Sequence, residues 1–313
     1  MIKNTLQICR NKFTSNLLLA TLMMAISGCV SPNIATQIKS FSDATIQIAS
    51  NTTQAFNLVE DKHYKEEVSV EVFNFDKKNG FDPSIIKPVM DTNALQIRLN
   101  LLEGLTSYAA NLSILVGNSS TTNLDKNTTT LGQALITVDK DFVNDSFFKT
   151  APVTTQDLKI FTAAINTLGH WLIAHEQQKE AKQVISSMQE PITNICHLLQ
   201  RDFHILGQQV VIDDKQTLEN ENQNILNNLA HFDNDPGEKR AEIQDMAALV
   251  RAKKNDADLF EAMESAIVKL EAAHTSLEEV FTKHTTNINS LIKELSTESQ
   301  RISKYYSSLK NSQ

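Results

Sequence analysis

The stretch HFDNDPGE at residues 231–238 decides how the second half of the chain folds. Pro236 lacks a backbone donor, which suits the first position of a helix. Asp235, directly before it, can cap that helix, and Glu238 is the expected reciprocal acid of a capping box. The stretch therefore predicts a turn that starts a new helix.

Long apolar stripes flank this turn. From Glu238 to Gln313 there is no glycine or proline, and core-type residues alternate at spacings of three and four from Phe260 to Leu309. Seven heptads of this kind are typical of a coiled coil or bundle. A second stripe, Ile185–Val210, holds its phase through Pro191, which favours one kinked helix. We expect an antiparallel hairpin of two helices, each reaching about 110 Å if continuous.

The hairpin has a predicted register and one alternative. Folding about Asp235 brings the acidic pair Asp213-Asp214 opposite the basic residues at 251–254, which predicts ion pairs between them. The alternative breaks the last helix at Asn255-Asp256 and gives a more compact bundle. Crosslinking of cysteines introduced at 214 and 255 would test the pairing.

Apolar residues in the first half of the chain also follow a pattern that predicts helices. Apolar residues from Ile34 to Val59 recur every three or four positions, as in a helix with one apolar stripe. Val68–Phe75 alternates with period two, so a strand is an alternative. With no second strong strand to pair with it, we favour helix or loop there.

Further helices are expected up to Val116, over Leu131–Val143, and from about residue 155, where Thr154 and Asp157 resemble a capping box. Serine, threonine and asparagine over 118–130 predict a loop. The predicted fold is all-α: an elongated helical bundle with a long antiparallel helical hairpin or coiled coil in the C-terminal half. Residues 34–150 are expected to supply the N-terminal helices and 151–313 the hairpin, and we expect the two parts to form one bundle.

The first 28 residues have the features of a secretory signal. Basic residues and no acid precede an apolar run, Leu17–Ile26, that is shorter than the roughly 20 residues of a membrane span. The segment ends in Ile26-Ser27-Gly28-Cys29, which resembles the lipobox of bacterial lipoproteins. The resemblance implies cleavage after Gly28, lipid on Cys29 and a short tether over 29–33. With Val30 in place of an aspartate, it implies the periplasmic face of the outer membrane.

Charge and cysteine content limit the partners and the cysteine chemistry that we expect. Without the three basic residues of the signal, 26 basic residues face 37 acidic ones, a net charge of −11. Such a surface repels nucleic acid and anionic lipid headgroups, so neither is an expected partner. Cys196 would be the one cysteine left without lipid, so no internal disulfide is expected. Its apolar surroundings predict a small buried hydrophobe and no nucleophile.

Candidate metal and catalytic motifs are incomplete. His170 and His175 lie five residues apart, whereas a zincin places its two histidines four apart on one helix face. His197 and His204, seven apart, share a face but have no third ligand in register. Asp233–Asp235 begins like a calcium loop without its closing glutamate. We therefore expect no catalytic residues, no cofactor and no metal site, and a protein that is not an enzyme.

The sequence thus predicts a helical binding or scaffold protein, anchored in the cell envelope by lipid on Cys29. Its expected partners are the membrane, through that lipid, and an envelope protein or a second copy, through its helices. One alternative is a membrane-active, pore-forming-like protein, suggested by the hydrophobic helix over 99–116. Another is a metal-dependent envelope enzyme.

His274 and His284 occupy seam positions, where protonation would weaken packing as the pH falls.

Overall fold

The computed structural model describes residues 32–74, 84, 86–117, 125–136, 155–174, 181–283 and 288–310. Residues 37–313 form one compact unit. Residues up to Thr36 form another, of which 32–36 are described. The described residues are helical apart from short connections, and no strand occurs among them, which confirms the all-α prediction.

Eight helices lie within the described residues: α1 (Pro32–Asn74), α2 (Thr92–Gly117), α3 (Asp125–Ile136), α4 (Thr155–Ala174), α5 (Ala181–Asn227), α6 (Leu229–Asn234), α7 (Pro236–Lys283) and α8 (Asn289–Lys310). The favoured helix over Val68–Asn74 is confirmed. The loop predicted up to residue 130 is wrong from Asp125 onward, because α3 already begins there. Local preference of serine, threonine and asparagine for turns is overridden by burial of the helix at Leu131 and Leu135.

The antiparallel hairpin of α5 and α7 is confirmed. Near its open end Gln189 Nε2 donates to Thr275 Oγ1 at 2.8 Å, and midway the Cβ position of Gly207 lies 2.9 Å from Phe260 Cβ. The absence of a side chain at Gly207 allows this close approach of the two helices. Helix α5 runs through Pro191 without interruption, as its apolar phase predicts.

The turn at Asp235 follows the prediction with one change. Asp235 Oδ1 accepts hydrogen bonds from the backbone N–H groups of Gly237 and Glu238 at 3.1 and 3.0 Å. Glu238 was expected to complete the capping box, but its carboxylate instead lies 2.7 Å from His231 Nε2. The Glu238 carboxylate thus contacts the side chain of His231, seven residues earlier, and not the backbone N–H of Asp235.

The prediction of a continuous last helix is wrong. Helix α7 ends at Lys283, and α8 begins at Asn289 and runs back along α7, as shown by the Asn255–Ser308 hydrogen bond of 3.1 Å. The alternative break at Asn255-Asp256 is also wrong, because α7 is helical through both residues. Residues 285–287 are Thr-Thr-Asn, which have low helix propensity, and the reversal buries Leu295 and Ile302 inside the molecule.

Helices α1 and α2 complete the core around the hairpin. Helix α1 lies beside α8, where Asn51 Nδ2 donates to the Ser299 carbonyl oxygen at 3.0 Å. Its Phe56 packs against Phe203 of α5, with ring centroids 5.7 Å apart. Helix α2, considered above as a membrane-active segment, is a core helix with Leu101, Leu102, Leu105 and Leu112 fully or almost fully buried.

A buried ion pair fixes α2 against α5. Arg98 and Asp202 have no exposed side-chain surface, and Arg98 Nε donates to Asp202 Oδ2 at 3.0 Å. Arg98 Nη2 lies 3.4 Å from the other carboxylate oxygen, and Nη1 donates to the Ala94 carbonyl at 3.1 Å. A charge this deep in the core requires such pairing, since an unpaired one would be severely destabilising.

Candidate functional site

Three of the candidate residues singled out from the sequence lie outside the described residues. These are the predicted lipidation site Cys29 and the histidines His175 and His284. His170, the other half of the incomplete zincin pattern, is exposed on α4. Cys196 is fully buried, and burial raises the pKa of its thiol, with the charge of Glu271 acting in the same direction. This confirms Cys196 as a core residue that is protected from reaction.

His197 and His204 share an exposed face of α5, as their spacing predicts. Each lies across the hairpin from a glutamate of α7: His197 is 3.5 Å from Glu271, and His204 is 3.4 Å from Glu264. Asp202, between them in sequence, points inward to Arg98. Among the described residues the two histidines are not joined by a third ligand group.

His274 lies in the core, as its seam position predicts. Its Nε2 is 2.7 Å from the Tyr108 hydroxyl and its Nδ1 is 2.8 Å from Gln189 Oε1. Because the ring is removed from water, the pKa of His274 falls from its ordinary value of 6.5 to about 3. His284, its expected counterpart, lies outside the described residues.

The acidic residues Asp213 and Asp214 do not meet the predicted basic residues at 251–254. Asp214 instead lies beside Asp256 of α7, and Lys62 of α1 is the cation between them, in contact with Asp256 and 3.5 Å from Asp214 Oδ1. Burial raises the pKa of Asp214 to about 7, against the effect of Lys62 and with a further contribution from Asp256. The positive charge thus comes from α1, a third helix that the predicted pairing of α5 with α7 does not take into account.

One turn further, α1 and α5 bring together His63, Glu66 and Asp213. One ligand-type atom from each lies within 4.8 Å of the others. His63 Nδ1 is 3.0 Å from Asp213 Oδ2, and its Nε2 is 3.5 Å from Glu67 Oε1. Burial and the charges of Asp213 and Asp214 raise the pKa of Glu66 to about 8. Glu66 therefore keeps its proton at neutral pH, because a further negative charge beside Asp213 and Asp214 is unfavourable.

Local sequence patterns do not reveal this group, because Asp213 lies 150 residues after His63 in the chain. Two signals were visible in retrospect: a polar run, Lys62–Glu67, ends the apolar stripe of α1, and the Asp213-Asp214 pair interrupts the stripe of α5. Either one alone indicates a solvated helix face. Their proximity depends on how α1 docks on the hairpin, which local pattern does not specify.

The part of the hairpin nearest the turn forms a second candidate surface. We call residues 218–250 the distal arm; it begins beyond Thr217, which lies beside Val70 of α1, and beyond the Asn255–Ser308 contact with α8. Exposed large apolar side chains occur along it: Leu226, Leu229, Ile243 and Val250, which are 50, 42, 52 and 53% exposed. Such a concentration on a two-helix segment is typical of an interaction surface.

Three of these apolar residues, Leu226, Ile243 and Val250, share one face of the distal arm. Glu219 of α5 and Val250 of α7 line the same groove of about 390 Å³, together with Leu218, Asn222, Met246 and Ala247. Leu226 lies seven residues after Glu219, and Ile243 lies seven before Val250, so heptad spacing places them on that same face. The groove and the two exposed residues therefore form a continuous apolar strip.

No family model, curated protein or solved structure matches this chain. None of the helices in the part of the chain that the structure describes combines the length and hydropathy needed to cross a bilayer.

Proposed function

We propose that this chain is a lipid-anchored binding or scaffold protein of the bacterial cell envelope, held by lipid on Cys29 at the periplasmic face of the outer membrane. The anchor rests on the lipobox-like Ile26-Ser27-Gly28-Cys29 sequence. More than one acyl chain makes such anchoring stable, at about 0.8 kcal/mol per buried methylene. The proposed role involves contact through helices and no chemical turnover.

The observation that carries the binding role is the apolar strip of the distal arm. Elsewhere the stripes of α5 and α7 are covered by α1, α2 and α8, and Phe260, Ile267 and Leu270 are almost completely buried. On the distal arm the same two helices leave Ile243 and Val250 more than half exposed. An amphipathic helix with apolar residues at three- and four-residue spacing would fit this strip.

Charge specifies the partner more closely. The distal arm contains seven acidic residues, Glu219, Glu221, Asp233, Asp235, Glu238, Glu242 and Asp245, and two basic ones, Lys239 and Arg240. An apolar strip among acids favours a helix whose apolar stripe is flanked by lysine or arginine. A second copy of this acidic arm would be repelled. The proposed occupant is therefore a basic amphipathic helix of another envelope protein.

A matched pair of valine substitutions in α7 tests this binding role. Val250 lies in the strip and is 53% exposed, whereas Val268 is 43% exposed outside the distal arm. Partners are captured by crosslinking in native membranes from the wild type, Val250→Lys and Val268→Lys. The proposal expects a captured protein with a basic amphipathic helix that is lost in Val250→Lys and retained in Val268→Lys.

Two results would contradict this assignment of the partner. Equal capture by both variants would place binding elsewhere. Dimerisation of the purified wild type that disappears in Val250→Lys would make a second copy the occupant. Unfolding curves of both variants serve as the control, because each substitution is at an exposed helical position where changes of about 0.5 kcal/mol or less are expected.

The anchor has its own test, independent of the arm. Mass spectrometry of the mature N-terminus should show a chain that begins at Cys29, with diacylglycerol on its sulfur and an acylated amino group. An unmodified thiol at Cys29 would remove the proposed location while leaving the arm's binding role open to the valine test.

The membrane-active alternative has less support. Insertion of α2 would require separation of Arg98 from Asp202 and exposure of its buried leucines, and charges at bilayer depth cost several kcal/mol. Liposome leakage caused by the purified protein would nevertheless favour that function over scaffolding.

A further inference from the structure

We infer that His63, Glu66 and Asp213 form a binding site for a divalent first-row transition-metal cation at the junction of α1 and α5. His63 and Glu66 lie three residues apart and so share a face of α1, and Asp213 faces them from α5. One imidazole nitrogen and two carboxylate oxygens lie within 4.8 Å of one another. Three such atoms can converge on one ion with small side-chain adjustments.

The surroundings leave room for an ion and further ligands. A cavity of about 100 Å³ lies against all three side chains and is also lined by Glu67, Val70, Gln216 and Thr217. Glu67 Oε1 is already 3.5 Å from His63 Nε2, so it is the candidate for a fourth ligand. Water can occupy any remaining position, since polar groups line much of this cavity.

The charge balance of the junction favours a cation. Among the described residues, five carboxyl groups gather there, those of Glu66, Glu67, Asp213, Asp214 and Asp256, with Lys62 as a permanent cation beside them. Lys62 is engaged on the far side by Asp214 and Asp256. Asp214 is 2% exposed, and its Oδ2 has no hydrogen-bond partner within the described part of the chain. A bound divalent ion would take the place of the protons that these crowded carboxyls retain and would pair with their negative charge.

The ligand types indicate the class of metal. Calcium and magnesium prefer sites built of oxygen ligands, whereas imidazole suits zinc and neighbouring transition metals, and carboxylates suit manganese. A mixed set with one imidazole therefore points to Zn²⁺ or Mn²⁺. Metal binding would displace the proton that His63 shares with Asp213 and the proton of the Glu66 carboxyl, and both protons would pass to solvent. Gln209 Nε2, which donates to Asp213 Oδ1 at 2.7 Å, would hold the carboxylate in place.

Other histidine–carboxylate pairs provide a contrast within the same molecule. His204 and Glu264 lie 3.4 Å apart, and His231 and Glu238 lie 2.7 Å apart, but both pairs are exposed. Among the described residues, neither pair has a third ligand group within reach. The junction of α1 and α5 differs from them because it has a third ligand group and because the buried carboxyls of Asp214 and Asp256 lie beside it.

The test measures Zn²⁺ and Mn²⁺ binding by isothermal titration calorimetry. The protein is the purified full chain in detergent, free of any tag and stripped with a chelator. We expect one equivalent of metal per chain and a higher unfolding temperature in its presence. Glu66→Gln should weaken binding by at least about tenfold, and His63→Gln should weaken it similarly, since each removes one ligand.

The apo forms separate loss of a ligand from loss of the fold. Glu66→Gln removes a carboxylate that is half-buried among like charges, so the metal-free variant should unfold at the same temperature as the wild type or higher. The matched control Glu264→Gln removes a glutamate from a histidine pair outside the site and should leave the affinity for metal unchanged.

Three results would overturn the site. These are the absence of Zn²⁺ and Mn²⁺ binding by the wild type, binding by Glu66→Gln and His63→Gln as tight as that of the wild type, and an equal loss of binding in Glu264→Gln. None of these results bears on the valine test of the distal arm, so the site and the proposed binding role stand or fall separately.

Discussion

The hairpin of α5 and α7 passes through two different surroundings, and the contrast is sharpest between two isoleucines of α7. Ile267 is 1% exposed beneath neighbouring helices, whereas Ile243 on the distal arm is 52% exposed. Both belong to the same helix. The difference shows that periodicity specifies which face of a helix is apolar, while the presence of other helices decides whether that face is core or surface.

The largest effect should come from the buried ion pair of the body, by which we mean the described residues outside 218–250. Arg98→Met leaves the Asp202 carboxylate buried without its partner and should destabilise the protein by about 3–5 kcal/mol in urea unfolding. The matched change Lys215→Met removes an exposed partner of Glu219 on α5 and should cost about 0.5 kcal/mol or less. Similar losses for the two variants would contradict the burial of the Arg98–Asp202 pair.

The two isoleucines provide the second comparison. Ile267→Ala should destabilise by about 2–5 kcal/mol, because it removes buried methyl groups and leaves a cavity. Ile243→Ala should change the free energy of unfolding by about 0.5 kcal/mol or less. A large loss in Ile243→Ala would mean that the distal arm is covered in solution, as it would be in a self-associated form.

Acid should weaken the body through His274. The folded-state pKa of about 3 lies below the ordinary 6.5, so the fold holds the ring neutral, and its contribution is fully present only above the ordinary value. That contribution is lost as the pH falls from about 6.5 towards 3. Between pH 7.5 and 5.5 the loss should be about 1 kcal/mol.

Comparison with His274→Gln isolates this contribution from other titrating groups. The pH dependence of unfolding should be shallower in His274→Gln than in the wild type. Identical slopes for the wild type and His274→Gln would refute the sensitivity of His274 to pH.

Acid should act on the distal arm in the opposite direction, with the smallest effect. Burial, followed by the hydrogen bond and charge of Glu242, raises the pKa of Glu221 to about 7. Because the fold holds the proton, the stabilisation is present at low pH and is lost as the pH rises from about 4.5 to 7. Glu242→Gln should therefore slow local opening of the arm at pH 7.5, measured by hydrogen exchange. Unchanged or faster exchange would contradict this.

Much of the fold could be predicted because its signals are local. The capping residue Asp235 and the apolar stripes of α5 and α7 specify the hairpin, although the predicted pairing of Asp213-Asp214 with the basic residues at 251–254 does not form. The reversal between Lys283 and Asn289 was not predictable in the same way, because the heptad phase continues across it without glycine or proline. The apolar stripe of α8 packs back onto α7, and this contact between two parts of one predicted helix is visible only in the folded structure.

The candidate sites also differ in whether local sequence patterns can predict them. Core positions such as His274 and Cys196 follow from helical phase within a single segment. The His63–Asp213 and Arg98–Asp202 contacts join residues more than 100 positions apart, and their formation depends on the docking of α1 and α2 against the hairpin. Long-range pairing of charges is therefore the part that sequence pattern leaves unspecified.

Hydrogen–deuterium exchange of the purified chain at neutral pH tests most directly whether the distal arm differs from the body. Backbone amides over 218–250 should exchange through low-energy local opening, while those over 192–210 and 259–280, in the buried core, should exchange near the free energy of global unfolding. Equal protection of the arm and the body would contradict the account, because it would mean that the apolar strip is already covered.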